Sequence, residues 1–199
     1  MNSILNYSQN ISLDSDKNYN PDVSIHDNEV YFYCNVNPKT ILDLQIKIKT
    51  AHAALLLKER NEDVQINSRP LNLYIYSYGG VCDSGLLMFD FIKSFVRPIH
   101  THVSGTAASC GTIIAIAGKF RTITPSSTYL IHQLQGATWG SYQKIIDYKE
   151  SSDKMMKTII NIYKNHSKIK DVQLQELLKR DLDLSAQEAL KLGFVDKII

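Results

Sequence analysis

Apolar and polar positions alternate along this chain in two distinct periods. Val30-Tyr31-Phe32-Tyr33-Cys34 is a β-branched and aromatic run that predicts a strand. Ile41, Leu44, Ile48, Ala51 and Leu55 then recur at three- and four-residue steps, which predicts one buried face of a helix. Asn72 to Ser77 predicts a second strand, followed at once by Gly79-Gly80. Ser84 offers an N-cap for a helix running to about Val96, which Pro98 stops. Ile99 to Val103 predicts a third strand, and Ala107 to Ala117 a compact helix of small residues. Arg121-Thr122-Ile123 and Tyr129-Leu130-Ile131 read as short strands. The longest helical stretch spans 141 to 165, with Ile145, Ile146, Met155, Met156, Ile159, Ile160 and Tyr163 as its apolar set. Ser185-x-x-Glu188 is a capping-box pattern, and Gly193 ends that last helix. Strands alternating with helices imply βαβ units and an α/β fold, whose strand ends at one sheet edge are the expected place for a site.

Residues 1 to about 24, rich in Asn, Ser and Asp, show no period and read as a mobile arm; residues 25 to 199 are expected to form one domain. The 199 residues are 44% hydrophobic and 21% charged, ordinary for a globular protein. The net charge of +2 and the scattered lysines give no reason to expect nucleic acid or an acidic membrane. No apolar stretch is long enough to span a bilayer, and Met1 to Tyr7 does not resemble a secretory signal. The three cysteines, at 34, 82 and 110, form no C-x-x-C pair. They suggest neither a disulfide framework nor a zinc site, and suit a reducing compartment.

Candidate chemistry gathers at a few points. Gly105-Thr106-Ala107-Ala108-Ser109-Cys110-Gly111 follows a strand and enters a helix, so Ser109 would lie beside free backbone N–H groups able to stabilise an oxyanion. On the heptapeptide alone, close packing of small residues is the weightier reading. Cys110 reads as a small buried residue at a helix start rather than a reactive thiol. Gly79-Gly80 permits backbone angles that turn an N–H toward a ligand, although a lone GG pair is more often an ordinary turn. His132, one of six histidines, ends a strand and could reach a nucleophile across the sheet edge. His100 and His102 share a strand face, but no Cys, Asp or Glu near them completes a metal set. Asp181 could orient a histidine, with Asp183 as its local competitor and a solvated charge cluster as the plainer reading of both.

In order and spacing, Ser77-Tyr78-Gly79-Gly80, the Gly105-to-Gly111 segment, Leu130-Ile131-His132-Gln133 and Arg180 to Ala189 together resemble the Clp protease proteolytic subunit family. Gly193-Phe194-Val195-Asp196 is similar to its C-terminal signature, and the resemblance covers roughly residues 29 to 199. It implies a serine endopeptidase with Ser109 as nucleophile, His132 as general base and then acid, and Asp181 as the orienting carboxylate. The N–H groups of Gly80 and Cys110 would form the oxyanion hole, with no metal. It implies a crotonase-like core of βαβ turns with a projecting handle at about 133–165, the Gln133-to-Gly140 strand plus the helix that follows. It also implies two stacked seven-membered rings enclosing the sites. Peptides or unfolded chains would be delivered by a hexameric unfolding ATPase. The chain has no phosphate loop, so ATP would be that partner's cofactor and this chain would need none. The compartment implied is the cytoplasm, or a plastid stroma or a phage host's cytoplasm. Tyr78 stands where the family usually has proline, and Lys179 where it usually has an acidic residue that pairs with an arginine across the rings. The alternatives are an inactive ring subunit of a mixed complex, and a crotonase-type acyl-CoA enzyme, which would use carboxylates and no Ser-His pair.

Overall fold

The computed structural model describes residues 23–199. The expected arm lies outside the described residues except for Val23 and Ser24. These two belong to β1 (Val23–His26), which pairs with β2 (Glu29–Phe32) as an antiparallel hairpin. Each half alone is too short to be stable. Their apolar side chains, Val23, Val30 and Phe32, are buried under α1 (Pro38–Asn61). All five predicted apolar positions of α1 are buried, and an Asn37–Thr40 capping box fixes its start.

From β2 the sheet continues in parallel through β3 (Leu71–Ser77), β4 (Ile99–Ala108), β5 (Arg121–Ile123) and β8 (Lys197–Ile198). Between β3 and β4 lies α2 (Cys82–Ser94), and after β4 comes α3 (Cys110–Ile116), every residue of which is buried. Ser84 is not the N-cap of α2. The helix starts at Cys82, with Val81 in the cap position and Ser84 buried in the first turn. That start is set by distant pairing: Val36 donates to the Gly79 carbonyl at 2.7 Å and accepts from the Val81 N–H at 2.8 Å.

Strand β4 is longer than its apolar run and replaces the first turn of the predicted small-residue helix. Thr101–Val103 pair with β5, whereas Thr106–Ala108 pair with β6 (Thr128–Leu130). The register against β3 jumps from Ile75↔Val103 to Ser77↔Ala107, a bulge centred on Gly105 at φ 103°. The Tyr76 ring packs where a Gly105 side chain would stand, so only glycine fits. The bulge lets one strand serve two neighbours and carries its C-terminal end, at Ser109, over to β6.

Helix α4 (Tyr142–His166) has two unlike halves. Ile159, Ile162 and Tyr163 enter the core, while Ile145, the first of the predicted apolar set, is exposed together with Tyr142 and Tyr148. The first half therefore projects from the body, with Trp139, 81% exposed, at its foot. The predicted strand at 133–140 is not formed among the described residues. It has no neighbouring strand to complete a ladder, and the Gln133 N–H bonds instead to the Leu178 carbonyl. That carbonyl ends α5 (Asp171–Leu178), a short helix that the sequence pattern did not suggest. Then β7 (Leu184–Ser185) pairs antiparallel with β6, and α6 (Ala186–Leu192) ends at Gly193 in the left-handed conformation, φ 77°. No described helix is long and apolar enough to cross a membrane.

Candidate active site

Three adjacent strand ends bring the candidate residues together. The pairings Thr106↔Thr128 through Ala108↔Leu130 align the C-terminal ends of β4 and β6, and the Ser109 N–H donates to the Leu130 carbonyl at 2.8 Å. Ser109 follows the first strand at once and His132 lies two residues beyond the second. On the other side of β6, Thr128 faces Ser185 and Tyr129 faces Leu184. Extending that antiparallel count by three residues sets His132 opposite Asp181, and Asp183 opposite Leu130. Asp181 Oδ1 lies 3.7 Å from His132 Nδ1, an ion-pair distance longer than a hydrogen bond. His132 is mostly enclosed, with its side chain 15% exposed, whereas the Asp181 carboxylate is 71% exposed. Asp183 acts on a different group: its charge helps raise the Tyr78 phenol, after the larger effects of the Tyr76 hydroxyl and burial.

Ser109 is the N-cap of α3 at φ 52°, ψ −126°, outside the regions a serine ordinarily adopts. Such strain is held only where surrounding packing fixes it. Here the restraints are the Leu130 bond before the helix and the Thr112 N–H, which donates to the Ser109 carbonyl at 3.0 Å. Gly79 completes the fit, since a Cβ there would stand 2.5 Å from Ser109 Cβ. Gly80, at φ 144°, is pinned against Val36, whose carbonyl oxygen would be 2.2 Å from a Gly80 Cβ. Cys110 is the first residue of α3, where the backbone N–H has no partner within the helix.

Ser109, Cys110, His132 and Gly80 line one open cavity of about 330 Å³ with Tyr78 at its rim. Its apolar wall includes Ile113 from α3 with Ile159 and Tyr163 from α4; the Tyr163 and Thr112 hydroxyls bond to each other at 2.7 Å. Gln133, Leu134 and Gln135 supply irregular backbone along one side. Cys82 also lines it, a residue with no role expected from the chain's motifs, because only the packing of α2 on α3 brings it there. The Cys110 thiol is buried, as expected, but not isolated. The Cys82 thiol beside it pulls it below the ordinary cysteine range, and the Ser109 hydroxyl and backbone groups of Gly80 and Cys110 add to this against the upward push of burial.

The other histidine pair is engaged elsewhere. His102 Nε2 lies 3.1 Å from Asn72 Oδ1, so it is the protonated nitrogen, and Nδ1 accepts from the Thr122 hydroxyl at 2.7 Å. His100 packs edge-on against Phe120. Among the described residues no group of three or more His, Cys, Asp or Glu side chains could hold a metal ion. Lys179, the C-cap of α5, pairs with Glu176 of that helix at 2.9 Å.

Residues 29–199 match the family model for Clp protease. An ATP-dependent Clp protease proteolytic subunit from Streptococcus mutans is 36% identical over 142 residues, covering 69% of this chain and 72% of that protein. A point mutant of ClpP1 from Listeria monocytogenes shares the fold with a TM-score of 0.73. That likeness covers 87% of this chain and 91% of that one at 23% identity. With an α/β architecture of this kind and a family match from residue 29 to residue 199, the chain belongs to the Clp protease family.

Proposed function

We propose that this chain is a serine endopeptidase subunit that cleaves peptides and unfolded polypeptides through an acyl-enzyme on Ser109. The observation that carries the reading is the strained Ser109 at the mouth of α3, sharing one cavity with His132, which in turn faces Asp181. In this mechanism His132 takes the Ser109 proton as the hydroxyl attacks the scissile carbonyl, then delivers it to the leaving amine; water repeats the cycle to release the acid. The Asp181 carboxylate holds the imidazole and stabilises its charged form. To do so it must close by about 0.8 Å to reach hydrogen-bonding range, a tightening usual when substrate engages. The N–H groups of Gly80 and Cys110 receive the developing oxyanion, each worth about 3–4 kcal/mol of barrier. The substrate chain lies extended along Gln133 to Gln135, its side chain in the pocket of Ile113, Ile159 and Tyr163.

The working form is a compartment of two stacked seven-membered rings, fed by a hexameric unfolding ATPase that uses the ATP, in a cytoplasmic setting. This reading draws support from the projecting, exposed half of α4 and from the relative's description as ATP-dependent. No cofactor is needed at Ser109. Replacing Ser109 with Ala should abolish peptide hydrolysis and fluorophosphonate labelling while leaving particle size unchanged. Full activity in Ser109→Ala would overturn the mechanism.

A further inference from the structure

The cavity beside Ser109 holds a second reactive group that peptide hydrolysis does not use. Cys82 opens α2, Cys110 opens α3, and both side chains line the cavity. The helices approach so closely here that a side chain at Gly85, one turn into α2, would stand 3.0 Å from Cys110 Cβ. The Cys110 sulfur lies 3.4 Å from the Gly80 carbonyl oxygen, and neither cysteine is in a disulfide. Gly80 and Gly85, which both lie against Cys110, bracket Cys82 in the chain, so the packing that seats Cys110 also sets Cys82 beside it; each thiol is the first influence on the other, lowering Cys110 and raising Cys82. Cys110 is thus the more readily ionised of the two, with Cys82 as the neighbouring thiol.

We propose that Cys82 and Cys110 are an oxidisable thiol pair, a modification site for hydrogen peroxide whose disulfide form stops acyl transfer at Ser109. The proposal rests on the reading of Ser109 as nucleophile. The thiolate of Cys110 attacks one peroxide oxygen; an S–O bond forms, the O–O bond breaks, and the departing hydroxide takes up the proton lost by Cys110 to become water. The Cys82 sulfur then attacks the Cys110 sulfenic acid. An S–S bond forms, the S–O bond breaks, and the second oxygen leaves as water with the Cys82 proton. Two thiols are oxidised by two electrons in all, and one peroxide is reduced to two waters. A soluble dithiol reverses the change by exchange.

The coupling to catalysis follows from position. Cys110 is next in the chain to Ser109, and its N–H is one of the two donors assigned to the oxyanion. Drawing its sulfur away from Gly80 toward Cys82 moves that donor, and loss of one such donor lowers turnover by about 100-fold or more.

The test uses the full-length protein, treated with hydrogen peroxide, freed of excess reagent, and followed by intact mass and peptide turnover. A loss of two hydrogens mapped to a Cys82–Cys110 crosslink is expected, with turnover reduced about 100-fold and restored by dithiothreitol. The Cys82→Ser variant should form no crosslink and should instead yield a dimedone adduct at Cys110. Cys34→Ser should behave as the parent. Absence of the crosslink in peroxide-treated parent protein, or a crosslink that leaves turnover intact, would overturn the proposal. A reduced parent protein with no turnover at all would instead refute the reading of Ser109, and the mass change would still report on the thiol pair.

Discussion

Replacing Gly79 with alanine puts a methyl group into space already filled by the turn that carries Ser109. The new Cβ would lie 2.5 Å from Ser109 Cβ, 2.8 Å from the Ala108 carbonyl oxygen and 2.9 Å from the Cys110 nitrogen. Two of those three atoms are backbone, so no side chain can swing aside to relieve the contact. Carbon atoms settle at about 3.5 Å or more, so the Gly79 strand and the Ser109 turn must separate by about 1 Å. A misplacement of that size costs about 100-fold in rate, or about 2.7 kcal/mol of barrier. The φ of +92° at Gly79 adds backbone strain of about 1–3 kcal/mol. Turnover of a short fluorogenic peptide should therefore fall about 100-fold in kcat/KM, with urea unfolding shifted by the strain alone. Gly118→Ala is the matching control. Its Cβ would crowd the Thr101 side chain at the far end of α3, so stability should fall while kcat/KM of the folded protein stays near the parent value. Parent-level kcat/KM in Gly79→Ala would refute the argument that this close approach positions Ser109.

Three further outcomes follow from particular contacts. Asp181→Asn should lower kcat by about 10⁴-fold and Asp183→Asn only slightly, measured on the same peptide; equal losses would refute the register argument. His102 is pushed down to about 4, mainly by burial and further by His100. Between its ordinary 6.5 and 4 the unfolded chain therefore binds a proton that the folded chain refuses, and stability falls as the pH drops through that window. Because the ring is partly solvent-screened, the loss should be about 1–2 kcal/mol by urea unfolding at stepped pH. An undiminished loss in His102→Gln would remove the assignment. Phe194 is fully buried, stacked on Tyr129 at 5.2 Å and edge-on to Tyr163 at 5.9 Å. Phe194→Ala should cost about 3–5 kcal/mol, and an unchanged urea midpoint would show that the site had already collapsed.

Sequence pattern alone reached those parts of the fold whose signals are local. The apolar face of α1, the Ser185–Glu188 capping box and the left-handed Gly193 are all settled within a few residues of chain, and all were readable. Where a distant segment decides, the pattern misled. Ala107-Ala108 has the composition of a helix, but pairing with β6 holds it as strand. Ser84 has the chemistry of an N-cap, but the Val36 clamp on the glycine pair starts α2 three residues earlier. Among the described residues, 133–140 have no neighbouring strand to pair with. In the site, Ser109, His132 and Asp181 were named from ordered motifs. The preference for Asp181 over Asp183 became physical only with the β6–β7 register. Nothing in the spacing of Cys82 and Cys110 announces that they line one cavity, because the packing of α2 on α3 brings them there.

Trp139 is the chain's single tryptophan, and it stands exposed at the foot of the projecting half of α4, away from the core. Indole emission excited at the red edge, where the eleven tyrosines do not absorb, therefore reports on that one place. Covering the projection with another surface should shift the emission to shorter wavelength and shield it from iodide, whereas events confined to the Ser109 cavity should leave it silent. Association and chemistry can thus be timed separately in one unlabelled sample, with the protein supplying its own probe.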